Sequence, residues 1–260
     1  MPELPEVETV VRELRLRLPG KHIVRASLTA PDLYRTGSAG VETLAGASIE
    51  GVERRGKAIV ISLGRDDSVV DRLVVHLGMT GRLEWTRDAR ERARPSHLHA
   101  RWQFGDGTEL CYFDPRRFGY IFVGSAAAVD QSLRIGPDPF QLDGAALESI
   151  LRGRSAPVKA LLLAQHLVSG LGNIYVDEAL HMSRIHPLVT GDRAAGRAPV
   201  ILAAARRILD RSIRARGTTL RDYRRTDGAT GEFQVKLSVY GREGEACRTC
   251  GTVIKRIEVA

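Results

Sequence analysis

The chain has 260 residues, a formal net charge of +8 at pH 7 and three cysteines. This length suits two domains that each bury a core, and so few cysteines exclude a disulfide framework. The acidic start is unlike a secretion signal, and no stretch approaches the ~20 apolar residues that span a bilayer, so we expect a cytoplasmic protein outside membranes.

Positive charge is concentrated in one segment. From Arg206 to Arg225 there are eight arginines against two aspartates, Asp210 and Asp222, and no glutamate. A basic chain favours a polyanion such as DNA, RNA or an acidic membrane. A run this one-sided fits phosphate contact better than a merely solvated surface, so we predict a nucleic-acid partner.

The first six residues read Met-Pro-Glu-Leu-Pro-Glu. Removal of Met1 would leave the secondary amine of Pro2 at the terminus, and a terminal amine titrates near ~8, so a useful fraction is nucleophilic at neutral pH. Attack on a sugar C1′ would give an iminium, with Glu3 beside it as acid or base. Helix initiation explains Pro5 and Glu6 but gives Pro2 and Glu3 no role.

Hydrophobic spacing predicts an α+β chain with more than one domain. Apolar residues at helical spacing over 7–18 predict a helix that ends at Pro19-Gly20. Short β-type runs from residue 22 to about 123 predict a β-sandwich, with a charged loop over 87–95. After the turn-rich segment 136–139, helices are predicted over 142–151, 157–167, 174–180 and 199–215, followed by an alternating pattern over 233–239.

Three further motifs combine residue types suited to nucleic acid. Two glycines precede Asn173 at the mouth of a predicted helix, where a phosphate could bind, although an ordinary Asn N-cap explains the pattern equally well. Arg116, Arg117 and Phe118 share a predicted turn, and arginine can hold a phosphate while phenylalanine wedges between bases. Met79 lies between glycines on a predicted loop tip, though methionine is ordinarily core filler.

Six motifs together resemble one family, the bacterial formamidopyrimidine-DNA glycosylases of the Fpg/Nei group. They occur in the family's order and approximate spacing, from residue 1 to about 254. The motifs are Pro-Glu-Leu-Pro-Glu at 2–6, Arg-Arg-Gly-Lys at 54–57, His-Leu-Gly-Met at 76–79, Asp-Pro-Arg-Arg-Phe-Gly at 114–119, Gly-Asn-Ile-Tyr at 172–175 and Val-Tyr-Gly-Arg-Glu-Gly at 239–244.

The resemblance implies a role for each motif. Pro2 would be the Schiff-base nucleophile, Glu3 a proton donor and Lys57, otherwise an ordinary surface cation, the donor that assists β-elimination. Met79, Arg116 and Phe118 would fill the gap left by an everted nucleotide. The implied contacts to DNA or to the lesion site are His76, His97, Arg116, Arg117, Arg154, Lys159, Asn173 and Tyr240.

The resemblance also implies the domain order and the activity. We expect a catalytic β-sandwich with a flanking helix over 1–132, a helix-two-turn-helix domain over 133–225 and an incomplete zinc-finger β-hairpin over 226–260. The expected protein is a monomer that clamps damaged duplex DNA in a basic cleft between domains. It would excise oxidised purines such as 8-oxoguanine and formamidopyrimidines as a bifunctional glycosylase and abasic-site lyase, through β- and δ-elimination.

Two features favour the oxidised-purine branch of the family. Leu4 and the continuation Val-Glu-Thr at 7–9 resemble that branch, whereas the endonuclease VIII branch for pyrimidines usually reads Pro-Glu-Gly-Pro-Glu. The segment 217–223 resembles the loop that purine-specific members fold over the everted base, although a Thr-rich turn is the simpler explanation. Its residues are Thr218, Thr219, Leu220, Arg221, Asp222 and Tyr223.

Three alternatives remain open: the pyrimidine-lesion glycosylase, a DNA-binding homologue without turnover, and a generic RNA-binding protein suggested by charge alone.

Cys247 and Cys250 have the C-x₂-C spacing of a zinc knuckle, and the resemblance implies one Zn²⁺ per chain. Structural zinc takes four ligands, and the family's second cysteine pair falls beyond residue 260. Either the chain ends early or the hairpin holds together without metal, and we favour a chain cut short. The family's hairpin arginine falls in the same part, so Arg256 is not assigned its role and δ-elimination stays open. Cys111 is expected to be a buried apolar residue of a strand.

Overall fold

The computed structural model describes residues 1–65, 68–87, 96–220 and 223–259, with the backbone alone for 68–70. The chain forms two compact units, Met1–Arg134 with Arg216–Gly231 and Ile135–Ala215 with Glu232–Ala260. Their bounds differ from the three predicted segments, because residues 216–231 group with the β-rich unit and residues 232–260 with the helical unit. The functional domains stay a prediction.

The first unit contains two four-stranded antiparallel sheets, as the predicted β-sandwich requires. One sheet has the order β1-β6-β7-β5 and the other the order β2-β3-β4-β8. The strands are β1 (Ile23–Leu28), β2 (Ser48–Arg55), β3 (Ala58–Arg65), β4 (Ser68–His76), β5 (Arg82–Thr86), β6 (Leu98–Phe104), β7 (Glu109–Phe113) and β8 (Tyr120–Gly124).

One hydrophobic core joins the two sheets and the first helix, α1 (Leu4–Arg15). The helix contributes Val7, Val10, Val11 and Leu14, and every strand of both sheets contributes at least one buried side chain. The predicted helix is confirmed, although it ends at Arg15, before Pro19-Gly20. Cys111 is buried in β7, as expected.

A second helix in this unit, α2 (Ala126–Leu133), was not predicted. It packs on β4 and β8. β3, between β2 and β4, is buried along most of its length on both faces rather than alternating. Ser125 caps the helix, since its side chain accepts a hydrogen bond from the Ala128 amide.

The second unit is helical. Its helices are α3 (Gly144–Leu151), α4 (Val158–Leu163), α5 (Asn173–Ser183), α6 (Gly191–Ala195) and α7 (Ala198–Arg214). Four correspond to the predicted helices with shifted ends, while the short α6 was not predicted. The long α7 packs against α3 and α5, and the buried Tyr175 hydroxyl lies 2.6 Å from Ser212 Oγ across the latter contact.

The predicted β-hairpin over 226–260 is not confirmed by the described residues. Residues Gln234–Lys236 form a 3-10 helix, and residues 232–259 form no strand where the structure describes them. One isolated antiparallel bridge, Ala246 to Val253, closes the turn that carries the cysteine pair. The apolar alternation over 233–239 reflects local burial, since Phe233 and Leu237 are buried while Val235 is exposed.

No helix among the described residues is long and apolar enough to cross a membrane.

Candidate active site and nucleic-acid interface

The N-terminal residues predicted to carry the chemistry are held by the start of α1. Glu3 is the N-cap residue, and Glu6 Oε2 accepts the Glu3 amide hydrogen at 2.8 Å, as in a capping box. Pro2, Glu3 and Glu6 are all buried. The helix start therefore fixes the position of Glu3, directly after Pro2, and the chemical role of these two residues stays a prediction.

Lys57 lies beside these carboxylates and is not the surface cation that sequence alone suggested. Its side chain is in the turn between β2 and β3, and the residue is 8% exposed. Burial lowers the pKa of the Lys57 ammonium, while Glu3 and Glu6 act in the opposite direction. A lysine whose proton is held less tightly is suited to proton transfer.

His76 lies one strand away and is part of a three-layer stack. In the β3–β4 pairing it is opposite Ala58, the residue after Lys57. The Tyr120 ring stacks on His76 with centroids 4.9 Å apart, and the Arg35 guanidinium lies over Tyr120, 4.7 Å from its ring centre. Burial, Lys57 and Arg35 lower the pKa of His76 to about 4. The ring is therefore neutral at physiological pH.

The tautomer of His76 is fixed by the backbone. The Gly78 amide donates to His76 Nδ1 at 3.1 Å, so the single proton of the neutral ring is on Nε2. A neutral histidine in this form is a hydrogen-bond donor that does not change with pH near neutrality.

Two turns next to His76 carry exposed apolar side chains. In the first, the Gly81 amide donates to the Leu77 carbonyl at 2.8 Å, and Met79 at the tip is 40% exposed. In the second, the Arg117 amide donates to the Asp114 carbonyl at 3.2 Å, and Phe118 is 59% exposed. The structure thus brings the predicted triad of Met79, Arg116 and Phe118 together on adjoining turns.

Two predicted DNA contacts have unusual backbone conformations. His97 and Arg117 have φ values of 69° and 52°, in the left-handed region that non-glycine residues rarely occupy. Arg117 also forms an ion pair with Asp32 at 3.2 Å. Such conformations concentrate at functional sites, where the surrounding structure holds them in place.

The predicted lesion loop is anchored to α1 at both ends. The Thr218 amide donates to Glu6 Oε1 at 2.7 Å, and Glu13 accepts from Arg225 Nε at 2.7 Å and from the Thr226 hydroxyl at 2.6 Å. Thr219 bridges the loop, since its hydroxyl donates to the Tyr223 carbonyl and accepts from the Gly231 amide. Leu220 is exposed, whereas Arg221 and Asp222 lie outside the described residues.

The other predicted contacts lie in the helical unit. Asn173 is the first residue of α5, with Gly172 as the N-cap, so Asn173 is not itself the cap. Lys159 forms an ion pair with Asp177 at 2.7 Å, and burial raises the pKa of that aspartate. Arg154 is exposed, and its Nε donates to the Ile150 carbonyl at 2.6 Å.

Tyr240 is positioned by a buried carboxylate of α5. Glu178 accepts amide hydrogens from Ser238, Val239 and Tyr240 at 2.8 to 3.0 Å. Three backbone donors on one carboxylate fix the conformation of the whole segment 238–240. Sequence reasoning missed Glu178, because a glutamate within a helix gives no sign of which backbone it will bind.

Other carboxylates were missed for similar reasons. Glu6 was assigned to helix initiation and Glu13 received no role, yet both hold the loop 216–231. Asp114 was read as part of a turn motif, although Asp before Pro at the start of a turn is a signal for side-chain to backbone bonding.

The cysteine pair does not complete a metal site. The Thr249 amide and the His181 ring, whose Nε2 lies 3.7 Å from Cys247 Sγ, lower the pKa of the Cys247 thiol to about 6. In the parts of the chain that the structure describes, no group of three or more His, Cys, Asp or Glu side chains is arranged to hold a metal ion. Cys247 and Cys250 alone do not fit the four-ligand requirement of structural zinc.

Comparison with known proteins places this site in a family. The formamidopyrimidine-DNA glycosylase N-terminal domain matches residues 1–121, and the H2TH domain of the same glycosylases matches residues 135–224. The chain belongs to the formamidopyrimidine-DNA glycosylase family. The resemblance drawn from the six motifs is confirmed.

Individual members of the formamidopyrimidine-DNA glycosylase family match nearly the whole chain in sequence or in structure. A formamidopyrimidine-DNA glycosylase of Rhizorhabdus wittichii is 44% identical, covering 98% of this chain and 94% of its own. One of Phenylobacterium zucineum is 41% identical, covering 96% and 92%. A mutant of Lactococcus lactis Fpg, solved with Fapy-dG DNA, has a TM-score of 0.88 and 36% identity, covering 100% and 95%.

Proposed function

We propose that the protein is a bifunctional DNA glycosylase and abasic-site lyase that removes oxidised purines from duplex DNA. Its relatives are named formamidopyrimidine-DNA glycosylases, and structures similar to it hold Fapy-dG DNA and carbocyclic 8-oxo-G DNA. The observation that carries the proposal is the start of α1, where Glu6 fixes Glu3, the residue after Pro2, and both carboxylates interact with the buried Lys57.

The reaction begins at the terminus after removal of Met1. The Pro2 nitrogen forms a bond to C1′ of the damaged nucleotide as the bond from C1′ to the base breaks, and the proton that the amine loses goes to the departing base. Glu3 then donates a proton to the sugar ring oxygen as the ring opens, which leaves an iminium between Pro2 and C1′. The charge on this iminium acidifies the C2′ hydrogen.

Strand cleavage follows from that acidity. Loss of the C2′ proton expels the 3′ phosphate by β-elimination, with Lys57 as the proton donor that assists this step. Water then hydrolyses the iminium to release Pro2. A second elimination, which would expel the 5′ phosphate, is assigned to no residue of this chain.

Recognition requires the damaged nucleotide to leave the helix, because a base inside a duplex is out of reach. Met79, Arg116 and Phe118 would enter the duplex and fill the gap. The DNA would be contacted by His76, His97, Arg117 and Arg154, and its phosphates or the lesion site by Lys159, Asn173 and Tyr240. The loop 218–223 would cover the everted base and read its purine edge.

Family membership suggests zinc in the C-terminal finger, and Cys247 and Cys250 would supply two of its four ligands. The steps above are assigned to protein side chains. As a bacterial repair enzyme that acts on chromosomal DNA, the protein would work in the cytoplasm.

Borohydride trapping tests the proposal. Reduction of the iminium should attach the protein covalently to an 8-oxoguanine duplex, and mass spectrometry should place the link on a chain that has lost Met1. Pro2→Gly should abolish or strongly weaken the adduct, whereas Pro31→Gly, a proline distant in sequence, should retain it. A folded wild-type protein that forms no reducible adduct would overturn the enzymatic role and leave a DNA-binding protein.

A second candidate substrate is an oxidised pyrimidine. Lactococcus lactis Fpg, with 34% identity and a TM-score of 0.87, has been solved with DNA that contains an oxidised pyrimidine. Parallel excision assays on 8-oxoguanine and thymine-glycol duplexes separate the two, since our proposal requires faster excision of the purine.

A further inference from the structure

Asp114 lies beneath the two turns that carry Met79 and Phe118. The residue is 0% exposed. Its Oδ1 accepts from the Thr80 hydroxyl at 2.5 Å, and its Oδ2 accepts from the Gly119 amide at 2.8 Å. Thr80 follows Met79 directly and Gly119 follows Phe118 directly, so one carboxylate binds the residue after each tip.

The two turns also touch through their backbones. The Arg116 amide donates to the Thr80 hydroxyl at 3.3 Å, so Thr80 of the first turn is bonded to both the Asp114 side chain and the backbone of the second turn, which begins at Asp114. Gly78 has a φ of 59°, and a Cβ at this position would collide with the Phe118–Gly119 peptide. A side chain at Gly119 would collide with the Tyr112 hydroxyl and the His76 carbonyl. The first turn therefore packs directly against the backbone of the second at Gly78.

We propose that Asp114 is a positioning residue that joins the Met79 and Phe118 turns, through Thr80 and Gly119, so that both side chains enter a DNA duplex as one wedge. The inference rests on the proposed function, since it assumes that the tips enter DNA. In this role Asp114 holds the two turns through its hydrogen bonds and does not itself contact DNA.

Joining the two turns lowers the conformational entropy that Met79 and Phe118 would lose on entering the duplex. Exposed methionine and phenylalanine side chains on separate flexible turns would each have to be ordered in the duplex, at a cost for each. A buried carboxylate with donors from both turns orders them before DNA arrives, because its hydrogen bonds are charge-assisted and shielded from water. Truncating either tip should then impair the whole wedge.

A double-mutant cycle tests this coupling. The cycle compares Met79→Ala, Phe118→Ala and the double variant, with base eversion followed by the fluorescence of 2-aminopurine placed beside the lesion. We expect each single change to slow eversion about as much as the double change, so that the effects are non-additive by at least fivefold. In a Thr80→Val background, which loses the link at nearly constant volume, the two effects should multiply.

Tyr112→Phe is the matched control. The Tyr112 hydroxyl also donates to Asp114, at 3.2 Å, but it belongs to neither turn, so the coupling should survive its loss. Asp114→Asn should abolish the coupling as Thr80→Val does, and thermal unfolding would establish that each variant is folded. If Asp114→Asn does not fold, Thr80→Val decides the matter.

The proposal would be overturned if, without the Thr80→Val change, the effects of Met79→Ala and Phe118→Ala on the eversion rate simply multiplied. Coupling that persists in folded Thr80→Val would overturn it as well. Eversion does not require the Pro2 nucleophile, so running the cycle in a Pro2→Gly background keeps this test independent of the chemistry. Failure of wild-type protein to form a borohydride adduct would instead count against the proposed function.

Discussion

The Tyr120 ring stacks on His76 with the two ring planes within 2° of parallel. Burial of the His76 ring, together with the positive charges of Lys57 and Arg35, lowers its pKa from the usual 6.5 to about 4 and keeps it neutral. The Asp114 carboxylate raises this pKa but offsets only part of the effect. A folded-state pKa below the unfolded value means that the unfolded chain binds the proton first. Stability is therefore fully present above about pH 6.5 and is lost as the pH falls toward about 4.

We expect His76→Gln to remove this dependence. Between pH 6.5 and pH 4 the wild-type free energy of unfolding should fall by up to about 3 kcal/mol more than that of the variant. Urea unfolding at both pH values measures the difference, and an NMR titration of the ring gives the pKa directly. Tyr120→Leu should raise the His76 pKa toward its ordinary value. Identical pH profiles for wild type and His76→Gln would contradict the assignment.

Lys57→Met should separate base removal from strand cleavage. The buried ammonium is replaced by an apolar side chain of similar length, so the protein should fold and still form the Pro2 adduct. Loss of a general acid should slow cleavage of a duplex with a ready-made abasic site by at least ~100-fold. Single-turnover gel assays measure this rate.

Lys21→Met is the control for Lys57, because Lys21 pairs with Asp106 elsewhere in the same unit and should leave cleavage unchanged. Equal rates for Lys57→Met and wild type would remove Lys57 from the mechanism.

Glu13→Ala should loosen the loop 216–231. The carboxylate holds Arg225 Nε, the Thr226 amide and the Thr226 hydroxyl, so its loss should lower the free energy of unfolding by about 2 kcal/mol. Excision of 8-oxoguanine should fall more than cleavage at an abasic site, which has no base for the loop to hold.

Glu148→Ala is the comparison for Glu13. Glu148 pairs with Arg152 on an exposed helix surface, and its loss should change stability by no more than about 0.5 kcal/mol. Equal losses of unfolding free energy for the two variants would show that Glu13 does not stabilise the loop 216–231.

Glu178→Gln should weaken DNA binding without changing how steeply the affinity depends on salt concentration. One amide oxygen cannot replace a carboxylate that accepts from three backbone amides, so Tyr240 loses its position and affinity for duplex should fall by roughly tenfold. The slope of log K against log salt should stay constant, since no cation is lost. Lys159→Gln should reduce that slope by about one. A changed slope in Glu178→Gln would argue against an indirect role.

Local pattern was enough for the family and for most of the longer elements, though not for α2 or α6. The helical spacing of Val7, Val10 and Leu14 predicted α1, and the β-type runs predicted β3, β4 and β6. Period and turn chemistry are encoded in neighbouring residues, so these features need no tertiary information. The alternation over 233–239 shows the limit, because the same spacing arose in an irregular segment in which only Phe233 and Leu237 are buried.

The sequence by itself determined the family and predicted which residues hold the chemistry: a proline and a glutamate at the start, a lysine before a strand, and apolar tips between glycines. Only the tertiary structure decided that Lys57 is buried beside Glu3, that His76 is neutral, and that Asp114, Glu13 and Glu178 anchor other segments. The reason is physical. The pKa and the hydrogen-bond partners of a charged group depend on which distant residues exclude water from it, and those neighbours come together only when the chain folds.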